Sequence, residues 1–241
     1  MSTGAAQFTK SWRSSLADYG TALCWSPNGE CLAAASAAGE VILCRPPAEP
    51  VLLHQANGQS IHVLGFSPQG DYLAAAGQAG ELLVWDLQSG TPYLLFTQTH
   101  PGIWIDQLTW HPTQDWLAYA VGSQIRIWQV SPNQVLADLD FANSSVLHLA
   151  WHPAGQLLAA SGHGGLKVWA ATDWAAAPKL IAVPGASLHC AWSADGRYLG
   201  SGNLDRTLTV AAWDSPPPWL MQGFPGKVRQ VDWSPLNTRS G

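Results

Sequence analysis

A chain of 241 residues, 47% hydrophobic and only 11% charged, is long enough to bury a sizeable core and too poor in charge to be a disordered segment. Its 11 Lys and Arg against 16 Asp and Glu give a net charge of −5 with no basic run, which argues against nucleic acid or an anionic membrane surface as the main partner. No apolar run approaches a helical membrane span, no secretory signal is legible, and Cys24, Cys31, Cys44 and Cys190 make no C-x-x-C pair, so the expectation is a soluble cytoplasmic protein with reduced thiols.

Taken in order, residues 1–19 form an arm in which Phe8 to Trp12 alternate weakly enough to make one strand. Residues 20–241 are expected as one all-β domain of repeated units at about 20–56, 57–98, 99–141, 142–183 and 184–223, with a partial unit at 224–241. Unit one places strands at Ala22 to Trp25, Cys31 to Ser36, Val41 to Cys44 and Val51 to His54. Its first turn, Ser26-Pro27-Asn28-Gly29, uses proline's fixed φ and a glycine that tolerates φ > 0. Unit two follows with Ile61 to Phe66, Tyr72 to Ala76, Glu81 to Trp85 and Tyr93 to Thr97, and unit three with Ile105 to Trp110, Trp116 to Val121, Gln124 to Trp128 and Val135 to Leu139. Unit four has Val146 to Trp151, Leu157 to Ser161, Leu166 to Trp169 and Lys179 to Val183. Unit five has Leu188 to Trp192, Tyr198 to Ser201, Thr207 to Ala211 and Trp219 to Gln222. The last unit offers one strand, Val228 to Trp233.

The aromatic residue before each first turn is Trp25, Phe66, Trp110, Trp151, Trp192 and Trp233, at steps of 41, 44, 41, 41 and 41 residues. A fixed period of this size marks one supersecondary unit stacked on its neighbours. The second strands read L-A-A-A, L-A-A-A, L-A-Y-A and L-L-A-A, continuous apolar runs that require burial on both faces. Small alanines let adjacent sheets approach, and Trp and Leu from one sheet fill the space left by the next, which is the solution of radially stacked sheets.

Phe66-Ser67-Pro68-Gln69-Gly70, then Leu73 to Gly77, then Gly80 to Val84 running into Trp85-Asp86, resembles the repeat that names the WD-repeat β-propellers. Trp128, Trp169 and Trp213-Asp214 fall near the same place, and Asn203 to Val210 resembles the family's turn with its Asp. The resemblance spans about residues 20–235 and implies a propeller of five complete four-stranded blades plus a partial sixth, read as a truncated seven-bladed ring in which Phe8 to Trp12 would act as a clasp strand. Thr238 to Gly241 reads as an abrupt end, and open blade edges would then invite self-association. Departures are visible: Asn57, Pro101 and Ala142 stand where the family has a Gly-His pair, and Cys44 replaces a signature Trp. The family's buried polar network is therefore expected to be partial, with packing carrying more of the stability.

Little in the chain points to chemistry. His163-Gly164-Gly165 is a hairpin turn, His111 and His152 replace the Ser of the first turn and should bond to backbone, and the carboxylates at Asp71, Asp115 and Asp195 are spread singly. No glycine-rich loop opens a helix, so no nucleotide cradle or other cofactor is expected. The resemblance implies a non-enzymatic scaffold that binds a protein or peptide on the face formed by the strand-four-to-one and strand-two-to-three connections. Carried over to this chain, that face begins strand one with His62, Asp106 and Arg229, and Trp104 lies just before it. The alternative is a metal- or small-ligand-binding channel at His148 and His189, which are 41 residues apart on the innermost strands of adjacent blades.

Overall fold

Each repeat folds as a run of antiparallel hairpins because two short apolar stretches alternate with glycine-bearing turns. The computed structural model describes residues 12–142 and 144–234, and no helix occurs among them. The first sheet comprises β1 (Gly20–Trp25), β2 (Leu32–Ser36), β3 (Val41–Cys44) and β4 (Val51–His54), in that spatial order. The second comprises β5 (Ile61–Phe66), β6 (Tyr72–Gly77), β7 (Glu81–Asp86) and β8 (Tyr93–Thr99). The third comprises β9 (Leu108–Trp110), β10 (Trp116–Val121), β11 (Gln124–Gln129) and β12 (Gln134–Asp140).

Units four and five merge into one sheet of order β13 (His148–Trp151), β14 (Leu157–Ala170), β15 (Lys179–Trp192), β16 (Tyr198–Asn203), β17 (Leu208–Ala212) and β18 (Ser215–Met221). Here the sequence reading needs correction. The two pairs of strands expected at 157–169 and 179–192 are each one continuous element. The first half of β15 pairs with β14 (Ile181 opposite Leu166) and its second half with β16 (Trp192 opposite Leu199). One strand therefore closes unit four and opens unit five.

The sheets stack in chain order, with β1, β5, β9, β13 and the second half of β15 as successive neighbours along one edge. Ala33, Ala35 and Leu43 of the first sheet pack with Leu73, Ala75 and Trp85 of the second, and the same small-against-large pattern recurs between later units. A hydrogen bond accompanies this packing. The indole Nε1 of Trp110, Trp151, Trp192 and Trp233 donates to the carbonyls of Gly65, Thr109, Ala150 and Ala191, at 2.8, 3.3, 3.3 and 2.9 Å. Each tryptophan thus ties its own segment, a strand in every case but that of Trp233, to the first strand of the unit before it, a role beyond the packing legible in its spacing.

Two expectations at the ends differ. Val228 to Trp233 is not a strand. It lies against unit five, with Val228 N donating to Asn203 O at 3.0 Å, and no described strand flanks it to form a ladder. Trp12 is also outside any strand and packs with Leu16 on Ala34, Ile42 and Cys44 of unit one. The rest of the expected clasp, Phe8 to Ser11, lies outside the described residues, as do Asn143 and Thr238 to Gly241.

The polar network thought to be partial is concentrated in unit five, around Asn203, the first residue of the stretch that resembles the family's turn. Buried Asn203 donates through Nδ2 to Thr207 Oγ1 and Thr209 Oγ1, both at 2.9 Å, and accepts from Ser201 Oγ at 2.7 Å. Ser187 and Ser201 hydroxyls meet at 2.6 Å, and Thr207 reaches Asp205 at 2.6 Å.

Candidate interaction face

The connection from β8 to β9 carries the three extra residues of unit three, and backbone bonds fix its course. His100 N donates to Gly80 O at 2.7 Å, Ile103 N to His100 O at 3.2 Å and Ile105 N to Gly77 O at 3.1 Å. Gly80 permits this approach: its φ is +68°, and a Cβ there would sit 2.3 Å from His100 O. Ile105 is fully buried, so the loop is anchored on one side of Trp104 and presents the indole outward, 55% exposed.

Trp104 meets His62, the second residue of β5, edge-on with ring centroids 5.8 Å apart. The same imidazole donates through Nδ1 to Asp106 Oδ1 at 2.8 Å, a tautomer assigned because a carboxylate can only accept. The pair is open to solvent, with side chains 29% and 51% exposed. Three of the four face residues nominated from sequence thus form one cluster across units two and three. Arg229 does not join it. It is exposed, lies beside unit five, and forms no ion pair among the described residues.

Next to the cluster is a cavity of about 280 Å³ between units three and four, lined by Ile103, Trp104, Asp106, Gln107, Ser145 and Val146 among others. Ile103 and Trp104 side by side after Gly102 were a legible signal of exposed apolar surface in a loop. Ser145 and Val146 gave none, because they arrive from the following unit.

His148 and His189 do come together, as their spacing implied. Their rings stack with centroids 3.8 Å apart and planes 31° from parallel. Each Nδ1 faces the backbone N–H one unit on, His148 toward Cys190 N and His189 toward Val231 N, both at 3.5 Å, the outer limit of hydrogen bonding. Burial and the neighbouring imidazole push His148 down to about 4, and burial lowers His189. Among the described residues no group of three or more His, Cys, Asp or Glu is placed to hold a metal ion. This geometry supports two neutral rings packed between adjacent first strands and gives the metal alternative no support. Burial also raises the Cys24 and Cys190 thiols to about 12, far from the thiolate a nucleophile needs.

With this architecture in hand, the comparisons with known proteins are consistent. Residues 23–111 match the family described as Anaphase-promoting complex subunit 4 WD40 domain, and residues 134–170 match the WD domain, G-beta repeat. Among solved structures, a chain of the Mitotic Checkpoint Complex superposes with TM-score 0.68 at 20% identity, over 81% of this chain and 61% of that one. The RRP9 WD40 repeats superpose with TM-score 0.70 at 16% identity, over 87% of this chain and 65% of that one. This chain therefore spans a little under two thirds of the length of those relatives. No curated protein sequence matches it. Repeat period, sheet topology, family matches and structural likeness agree: the chain belongs to the WD-repeat β-propeller family.

Proposed function

We propose that this protein is a non-enzymatic scaffold that docks a protein or peptide partner on the face carrying His62, Trp104 and Asp106. The WD40 propeller is commonly a protein-interaction scaffold, and one solved relative comes from a protein complex. The observation that carries the reading is the half-exposed Trp104 held on a pinned loop beside the His62–Asp106 pair. A large aromatic presented rigidly, with a polar partner at its edge, has the makings of a binding hot spot. Spread carboxylates and thiols held protonated by burial favour binding over catalysis. In this reading the chain works in a reducing compartment, where its four cysteines stay free thiols.

The test is affinity capture from the native cell with wild-type protein beside Trp104→Ala and His62→Ala variants of unchanged thermal stability. Partners captured by wild type and lost from both variants support the face. An identical set of partners on all three proteins discards it.

A further inference from the structure

The cavity beside Trp104 has a chemistry more specific than a generic docking face. We propose that it receives the side chain of a lysine or arginine presented by a peptide segment of the partner. This rests on reading the face as an interaction surface and goes one step further, to the charge of what enters.

Asp106 is the one charged residue in the lining. Its only ionic partner among the described residues is His62, which engages Oδ1 and leaves Oδ2 unclaimed. Among the described residues no lysine or arginine neutralises it: Arg126 is committed to Asp138 at 2.7 Å, and Lys167 Nζ donates to the Phe141 carbonyl at 2.8 Å. The walls suit the rest of such a side chain. Ile103, Trp104 and Val146 offer apolar surface to an aliphatic stem, and the indole face also attracts a cation. At about 280 Å³ the cavity falls below the range of roughly 300–1,000 Å³ typical of small-molecule pockets and fits a single side chain. An acidic side chain would meet Asp106 with like charge, and a purely apolar one would cover Asp106 Oδ2 without giving it a partner, so charge complementarity selects a basic one.

A displayed random-heptapeptide library tests this. Clones are selected on the wild-type protein and sorted by loss of binding to Trp104→Ala and to Asp106→Asn. The expected result is a set of Trp104-dependent clones enriched in Lys or Arg, most of which also lose binding to Asp106→Asn. Resynthesised peptides with the basic residue replaced by norleucine should then bind roughly tenfold more weakly to wild type. For Asp106→Asn the same replacement should make little difference, and the wild-type preference should shrink as salt rises. Trp104-dependent clones without basic enrichment, or norleucine peptides that bind equally well, overturn the cation proposal while leaving the face intact. Absence of any Trp104-dependent clone overturns both.

Discussion

His111 Nε2 donates to the carbonyl of Gly155 at 3.0 Å and so joins the first turn of unit three to the first turn of unit four. Its Nδ1 meanwhile accepts from Thr113 N and Gln114 N at 3.2 and 3.1 Å, which fixes the tautomer. His152 repeats the arrangement one unit later, bonding Gly196 O at 3.2 Å and Ala154 N at 3.1 Å. Ser26 and Ser67 hold the same place in units one and two, but their hydroxyls bond only locally, accepting from Cys31 N and Tyr72 N. A serine is too short to reach the next turn. An open groove of about 830 Å³, lined by Ser26, Gly29 and Gly70, lies between units one and two.

The turn-to-turn bond predicts that His111→Ala destabilises by about 2 kcal/mol, since it removes one inter-unit bond and leaves two backbone donors without their acceptor. Gly155→Ala should also destabilise: φ there is +79°, and a Cβ would lie 2.3 Å from the His111 ring. In the double variant His111→Ala, Gly155→Ala the clash disappears, so its cost should be less than the sum of the singles. Urea denaturation of the four proteins measures this; strict additivity would mean that ring and glycine do not interact.

Acid should loosen the junction of units four and five. His148 is held neutral by burial and by His189 stacked upon it, with its pKa down to about 4, against about 6.5 in an unfolded chain. A lowered imidazole pKa means the unfolded state takes up the proton first. Its contribution is full above about pH 6.5, declines as pH falls, and is gone below about pH 4, a loss of roughly 3 kcal/mol from this group. Burial lowers His111 and His189 in the same direction. Replacing His148 with Asn should flatten the stability profile between pH 6.5 and 4 relative to wild type. Parallel profiles for the two proteins would refute this account.

Loss of an indole donor should cost about 1 kcal/mol even where a ring remains. Trp110→Phe keeps an aromatic beside Gly65, whose backbone lies close to the indole, but leaves the Gly65 carbonyl without its 2.8 Å bond. Phe66 occupies the same place in unit two and has no N–H to give. A Phe66→Leu variant, judged by the same denaturation midpoint, therefore reports packing without the hydrogen bond.

Asn203 is the hub of a fully buried network, so Asn203→Ala should cost about 3 kcal/mol, more than its size implies. Asn203→Asp tests the assignment of donors. It keeps the shape but takes away both bonds from Nδ2 to Thr207 and Thr209, and should destabilise comparably at neutral pH. Wild-type stability in Asn203→Asp would show that the amide is not the donor.

The period of the aromatic residues, the alanine-rich second strands and the turns between them determined the all-β architecture and most strands, whereas the boundary expected between residues 183 and 184 falls inside the continuous β15. These features are local, and a repeat writes them again in every unit. Even the meeting of His148 with His189 followed from equal steps along equal units. What the sequence could not supply was the identity of partners between units. That His111 reaches Gly155 and that Trp110 bonds Gly65 depend on how far one sheet is displaced against the next. The same limit applied to the candidate face. His62, Trp104 and Asp106 were nominated together with Arg229 by analogous position, but only the stacking of neighbouring units decided that three of them converge. Arg229 keeps the repeat's place against unit five, where Trp233 bonds Ala191 O as Trp192 bonds Ala150 O, but that place lies beside unit five and not beside units two and three, so it does not meet His62.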